Sequence, residues 1–163
     1  MKLIRLGIIS ILALFAIASL IGILLPSNVL VSRAVDITSP KDSIVRFVGN
    51  IQQWKTWMDG MDNPSVHIQS ATTADLAGTL VEITQITDST VISKWTSKNG
   101  TFQIATLHII EVPTQRTSIV QWQFEQKLKW YPWEKLGSMM NDKIIGPMME
   151  KNLNNLKSLI EKK

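Results

Sequence analysis

The sequence contains no cysteine and only two histidines, His67 and His108. Disulfide bonds and a lipid-modified cysteine anchor are therefore excluded. The histidines lie 41 positions apart, and without cysteine this spacing fits no ordinary zinc site. We predict that the protein holds no metal and uses no cofactor.

Short catalytic motifs are also missing. The chain has no HExxH, GxSxG, Walker or GxGxxG pattern. Asp59 and Asp62 lie three positions apart in "MDGMDNP". A turn that uses Asp, Asn, Gly and Pro for local hydrogen bonds explains this pair better than a cation site or an acid/base pair. No reaction is predicted from these residues.

Basic runs are scarce as well. Lys2 and Arg5 account for much of the positive charge, because residues 26–163 hold 15 basic residues against 13 acidic ones. No stretch of Lys and Arg resembles a stripe that follows a phosphate backbone. We therefore predict no binding to nucleic acid.

What the sequence does contain is an uncharged apolar run, residues 6–25 (LGIISILALFAIASLIGILL). As a helix rising ~1.5 Å per residue, this run is about 30 Å long and spans a bilayer core. A cleaved signal peptide is the alternative, with Lys2 and Arg5 before its apolar region. Such a region is usually only about 7–15 residues long, and no convincing cleavage site follows here. We predict an uncleaved transmembrane helix.

The flanking charges predict the orientation of this helix. Residues 1–5 carry two positive charges, whereas the charges that follow the run nearly cancel. The positive-inside rule places residues 1–5 in the cytoplasm and the remainder outside a cell membrane crossed once. Residues 26–28 form a short linker, which would hold a domain of residues 29–163 against the membrane surface.

The domain begins with a strand and two short helices. Residues 29–37 have the composition of a strand. "SPKD" then starts a helix, for which Ser39 is the predicted cap. A second helix, residues 51–58, places Trp54 and Trp57 on one side.

From residue 66 the apolar period changes to two, which indicates antiparallel strands. Asn99 and Gly100 lie between two of them and predict a tight hairpin turn with positive φ at both positions. Five strands are predicted: residues 66–70, 79–87, 90–97, 101–112 and 117–128.

The remainder, from Pro132 to Ile160, is predicted as one long helix kinked near Pro147. Trp130, Tyr131 and Trp133 surround Pro132 and would anchor the passage from sheet to helix by burial. Its apolar face is predicted to contain Leu136, Met140, Ile144, Met148, Leu153, Leu156 and Ile160, opposite a solvated face with Lys135, Lys143 and Lys151.

This α+β order resembles the START-like helix-grip superfamily (SRPBCC; polyketide cyclase/dehydrase and lipid transport), in particular small membrane-anchored bacterial members. The resemblance rests on "VSRAVDITSPKDSIVRFVGNIQQWKTW" and "WYPWEKLGSMMNDKIIGPMMEKNLNNLKSLIE" and covers about residues 29–161. It implies a bent antiparallel sheet wrapped around the long C-terminal helix. The family usually has six strands after the short helices, and residues 70–78 stand where a sixth strand is missing from our prediction.

The resemblance also implies an apolar cavity between the sheet and the C-terminal helix. His108 shares strand parity with Phe102 and is therefore predicted to face inward. For each candidate, simple filling of the core is the alternative interpretation. The candidate lining residues are Trp54, Trp57, Trp95, Phe102, His108, Trp122, Met139, Met140 and Met148.

The leading hypothesis is non-catalytic binding of a hydrophobic small molecule or lipid by a domain anchored through residues 6–25. One alternative is a protein-interaction module with a filled core. Another is an enzyme of the cyclase/dehydrase type that uses His108 or Glu82 as acid or base. The sequence identifies neither the ligand nor a protein partner.

Overall fold

The structure, a computed structural model, describes residues 2–112, 114–129, 131–138 and 140–162. Helix α1 spans Lys2–Leu24. Its segment Ile4–Leu24 is long and apolar enough to cross a membrane, and little of it is buried against the rest of the chain. A signal sequence near the N-terminus can meet the same criteria of length and apolar composition.

Strand β1 (Asn28–Ile37) follows α1 after three residues, and two short helices follow it, α2 (Lys41–Val48) and α3 (Ile51–Trp54). The predicted cap of α2 is wrong. Pro40 occupies the capping position, where no side chain caps the helix. The carbonyl of Ser39 instead accepts a hydrogen bond from Ser118 Oγ at 2.8 Å.

Six further strands complete one antiparallel sheet in the order β1-β7-β6-β5-β4-β3-β2. The predicted count of five is therefore corrected: β3 lies within residues 70–78. It was missed because it has only four residues, of which two are polar. The strands are β2 (Val66–Ile68), β3 (Thr73–Leu76), β4 (Thr79–Ile86), β5 (Thr90–Ser97), β6 (Phe102–Val112) and β7 (Thr117–Lys127).

The turn between β5 and β6 also differs from the prediction. Gly100 has a positive φ of 80°, but Asn99 does not. The Gly100 amide donates to the Ser97 carbonyl at 2.9 Å, and Asn99 Oδ1 accepts from the Thr101 amide at 3.0 Å. The loop is thus a type I turn followed by a left-handed glycine.

The predicted C-terminal helix is two helices, α4 (Pro132–Ser138) and α5 (Asn141–Glu161). Gly137, a poor helix former, lies at the end of α4, and its carbonyl accepts the Met140 amide at 3.1 Å. The break shifts the buried face in the first half of α5. Met149 is fully buried, whereas Ile144 and Met148 are 68% and 37% exposed. In the second half, Leu153, Leu156 and Ile160 are buried as predicted.

Helix α5 lies along β1 on the buried face of the sheet. Glu161 Oε1 accepts the Thr38 amide at 2.9 Å, and Arg33 Nε donates to Glu150 Oε1 at 2.6 Å. The N-terminal part of α5 therefore points to the end of β1 that adjoins α1. We call this the α1 end of the sheet, where Asn28 pairs with Lys127, and the opposite end the far end, where Ile37 pairs with Ser118.

Candidate functional site

A groove of about 600 Å³ opens between α4 and the α1 end of the sheet. Phe102, Gln126 and Leu128 line it on the sheet side, and Glu134, Gly137 and Ser138 line it on the helix side. Its volume lies within the range of small-molecule sites, about 300–1,000 Å³. The groove is therefore large enough for a ligand.

Two residues on the sheet side of the groove belong to the buried face of the sheet, whereas Phe102 does not share the parity of the buried residues of β6. Gln126 and Leu128 continue the parity of the buried Trp122 and Phe124 along β7. Gln103 Nε2 donates to Gln126 Oε1 at 3.0 Å, which fixes one wall of the groove. A ligand here would therefore contact the same face that α5 covers farther along the sheet.

The rim of the groove is charged. Lys127 and Lys129 line it together with Glu134. Glu134 Oε2 accepts the Lys129 amide at 3.0 Å and so ties α4 to the end of β7. The ammonium of Lys94 lies 5.0 Å from the centre of the Phe102 ring, within cation–π range. Apolar walls with a charged rim suit an amphipathic molecule.

A second opening, of about 170 Å³, is lined by Met58, Met61, Trp95 and Met148 among others. It is smaller than a typical ligand site. Trp95 pairs in register with Gln103, whose partner Gln126 lines the groove. The two openings therefore lie along one strip of the buried face.

Behind this strip the interior is filled by aromatic rings. Trp95 contacts Phe124 edge to face at 5.2 Å and stacks on Trp54 at 6.0 Å between ring centres. Trp57 contacts both Trp54 and Trp122 edge to face, at 6.1 and 5.9 Å. These five residues, the aromatic cluster, occupy the space in which a cavity was expected between the sheet and α5.

The indole N–H groups of the aromatic cluster differ in their partners. Trp54 Nε1 donates to the Val48 carbonyl and Trp95 Nε1 donates to Ser93 Oγ, both at 2.9 Å. Trp57 Nε1 and Trp122 Nε1 are buried and have no hydrogen-bond partner among the described residues. An unpaired buried donor costs about 1–3 kcal/mol. Trp57 and Trp122 therefore pack in the cluster without a hydrogen bond from their indole N–H groups to any described residue.

The structure distributes the predicted lining residues over several places. Phe102 borders the groove, and Trp95 and Met148 border the second opening. Met140 is 50% exposed at the junction of α4 and α5 and borders neither opening. Met139 lies outside the described residues. The remaining tryptophans, Trp54, Trp57 and Trp122, are buried in the aromatic cluster.

The predicted inward direction of His108 is wrong. Ala105, Leu107 and Ile109 are the buried residues of β6, so His108 faces the other side of the sheet. Its Nδ1 lies 3.4 Å from Thr90 Oγ1. The prediction failed because β6 carries apolar residues on both faces, and its parity is therefore not determined by hydrophobicity.

The other candidate acids also lie outside the groove. Glu82 is exposed on β4, where Val81 and Ile83 are buried. Asp59 forms an ion pair with Lys151, and its amide donates to Asn152 Oδ1 at 2.9 Å. Within the described ranges no group of three His, Asp or Glu side chains could hold a metal ion.

Shifted pKa values occur at surface ion pairs away from the groove. Hydrogen bonds to Glu150 and Asp142 raise the pKa of Arg33. The hydrogen bond from Lys41 lowers the pKa of Asp88. The amide of Thr38, and secondarily Lys157, lowers the pKa of Glu161. These pairs stabilise the packing of elements, and Arg33 in particular holds α5 on β1.

Lys135 of α4 was predicted on a solvated face, and this prediction is wrong. It is only 5% exposed, and its Nζ donates to the Leu25 carbonyl at 2.9 Å. A lysine at this position satisfies a carbonyl at the C-terminal end of α1 and favours the negative end of the helix dipole. No local sequence pattern predicts this contact, because it joins residues 110 positions apart.

No family profile matches the sequence, and no curated protein sequence matches it. Solved structures do match. A START superfamily protein from Mycobacterium smegmatis superposes with a TM-score of 0.60 at 13% identity, covering 82% of this chain and 97% of its own. A norcoclaurine synthase point mutant from Thalictrum, in complex with a transition-state analogue, gives 0.60 at 7% identity, covering 83% and 95%.

The di-domain ARO/CYC protein BexL from the BE-7585A biosynthetic pathway gives a TM-score of 0.63 at 11% identity. The match covers 83% of this chain and 50% of BexL. At these identities the likeness concerns the fold. Together with the seven-stranded antiparallel sheet and the C-terminal helix on its buried face, it shows that the chain has the START-like helix-grip fold.

Proposed function

We propose that this chain is a membrane-anchored domain that binds a hydrophobic small molecule or lipid without catalysing a reaction. The observation that carries the proposal is the groove between α4 and the sheet. It has the volume of a ligand site, apolar walls at Phe102 and Leu128, and a charged rim at Lys127, Lys129 and Glu134. An amphipathic ligand matches both parts of this lining.

The position of the groove agrees with membrane anchoring. Helix α1 serves as the anchor, with residues 1–5 in the cytoplasm and the domain of residues 29–163 outside. Three residues separate α1 from β1, and the Leu128 amide donates to the Ser27 carbonyl at 2.7 Å. The groove, which Leu128 lines, therefore opens close to the bilayer surface, the source of hydrophobic ligands.

The similar structures support a binding role. The norcoclaurine synthase match holds a transition-state analogue, so the same fold accommodates a small molecule there. For the present chain, neither His108 nor Glu82 borders the groove. A cyclase/dehydrase reaction would therefore lack both of the acid/base residues predicted for it, and binding alone is the function that the geometry favours.

Gly137 offers a direct test. It lines the groove, and a Cβ added there meets no atom within 4 Å. Gly137→Trp should fill the groove without disturbing the sheet, whereas Gly137→Ala should leave it open and favour helix α4. The full chain of each variant is purified in mild detergent, and the co-purified lipids and other apolar molecules are extracted and quantified per chain by mass spectrometry.

We expect a stoichiometric apolar molecule in wild type and Gly137→Ala and at least a tenfold loss in Gly137→Trp, with cooperative thermal unfolding in all three proteins. Equal amounts in all three proteins would contradict a ligand site in this groove. The absence of any bound molecule would favour the second candidate, a protein-interaction module. The aromatic cluster supports that candidate, because it leaves little space for a ligand between the sheet and α5.

A further inference from the structure

Several apolar side chains at the α1 end of the domain are exposed. Trp133 on α4 is 59% exposed and stacks on Tyr131 with ring centres 5.0 Å apart. Met140 is 50% and Ile144 at the start of α5 is 68% exposed. Phe102, at the start of β6, is 49% exposed. We call Phe102, Trp133, Met140 and Ile144 the α4 patch. Large apolar side chains grouped at one end of a domain indicate an interaction surface.

Contacts between α4 and α1 determine where the α4 patch lies along the axis of α1. Helix α4 packs against α1, and Lys135 of α4 donates to the Leu25 carbonyl. Among residues 4–24 of α1, the least exposed are Ala18, Ser19 and Gly22, in its last two turns. At ~1.5 Å per residue, these positions lie roughly 3–9 Å before the end of α1. Helix α4 thus lies beside the last turns of the apolar helix.

The charges around the α4 patch are predominantly positive. Two nearby acidic groups are already engaged, since Asp142 pairs with Arg33 at 2.9 Å and Glu134 accepts the Lys129 amide. Lysines near a bilayer surface are attracted by anionic lipids, by about 1 kcal/mol each. The exposed lysines at this end are Lys98, Lys127, Lys129 and Lys143.

We infer that the α4 patch docks into the headgroup region of the same bilayer that α1 crosses, with its lysines on anionic headgroups. The inference rests on the proposed anchoring by α1. Trp and Tyr favour the membrane–water interface, where the ring is partly apolar and its polar edge is hydrated. The domain is therefore seated on the bilayer by two elements, and the groove faces the lipid surface.

This docking gives the "WYPW" stretch a second role beside that of a joint. From sequence, its aromatic residues are predicted to be buried. In the structure Trp133 instead projects its ring outward from α4. An aromatic side chain that would be an aggregation hazard on a free domain becomes a stabilising contact at a bilayer interface.

The test uses the absence of cysteine, because each cysteine introduced is unique. Ile144→Cys in the α4 patch and Ile110→Cys at the far end form a matched pair, since both isoleucines are more than half exposed. Ser10→Cys in α1 reports the anchor. Each full chain is spin-labelled in vesicles of phosphatidylcholine and phosphatidylglycerol, and the label's depth is read from its accessibility to oxygen and to a water-soluble nickel complex.

We expect deep immersion at position 10, interfacial depth at 144 and full aqueous exposure at 110. Replacing Trp133 by Ser in the Ile144→Cys chain should raise the accessibility of that label to the nickel complex at least severalfold. Aqueous exposure at 144 with a deep label at 10 would overturn the docking while leaving the anchor intact. An aqueous label at 10 would overturn the anchor itself, and the docking with it. The same depth at 144 in phosphatidylcholine alone would exclude the role assigned to the lysines.

Discussion

The far end and the α1 end of the sheet differ in how the buried face is covered. At the far end α5 lies on β1, and Leu153, Leu156 and Ile160 are buried against it. At the α1 end the short helix α4 replaces α5, and a groove remains between helix and sheet. The groove therefore lies at the break between two helices, whereas the aromatic cluster fills the centre of the grip.

The first prediction sharpens this contrast through two aromatic side chains. Trp122→Ala should lower the free energy of unfolding by about 3–5 kcal/mol, because it empties a fully buried site. Phe102→Ala, at the open end, should change it by no more than about 1 kcal/mol. Urea titration of the full chain in mild detergent, followed by circular dichroism, measures both. Equal losses would mean that the α1 end is packed as tightly as the centre.

A second prediction concerns hydrogen bonding within the packed region. Trp54→Phe removes the donor to the Val48 carbonyl, whereas Trp57→Phe removes an N–H that has no described partner. Both indoles are almost completely buried, so the loss of packing is similar. We expect Trp54→Phe to be more destabilising by about 1–2 kcal/mol. The reverse order in the same titration would assign a hydrogen bond to Trp57.

The smallest expected effect is on acid stability at the far end. The Thr38 amide and Lys157 lower the pKa of Glu161 below its usual 4.5 in the folded state. Stability from this carboxylate is therefore complete above pH 4.5 and is lost as the pH falls through the lowered folded-state pKa. When the pH is lowered from about 6 to about 3, the thermal unfolding midpoint of wild type should fall further than that of Glu161→Gln. An equal fall in both proteins would show that the charge of Glu161 does not contribute to stability.

The sequence predicted the parts of the fold that repeat over many residues. The alternation in residues 117–128 and the apolar positions Leu153, Leu156 and Ile160 each describe one face of one element. The four-residue strand β3 and the facing of the two-sided strand β6 were not predicted correctly. Strand β3 has too few residues for a period, and β6 is apolar on both faces, so His108 was assigned to the wrong one.

Contacts between distant parts of the chain account for the remaining errors. Lys135 is buried because α1 supplies a carbonyl, and no local pattern encodes that partner. The groove likewise depends on where α4 ends. The apolar pattern continues through Gly137 and therefore predicted one helix instead of two. Of the predicted lining residues, Phe102 borders the groove, although on β6 it shares the parity of the outward-facing His108.

The pairing of β1 with β7 has a consequence for the order of folding. Asn28 pairs with Lys127, so the first strand closes on a partner about 100 positions later in the chain. Such a distant pairing closes a long loop and is slow to form. During synthesis, α1 and β1 emerge long before β7, so β1 stays unpaired until β7 has been made. Completion of the sheet is therefore a late event, and the proposed anchoring of α1 would hold the unpaired edge of β1 at the membrane surface until then.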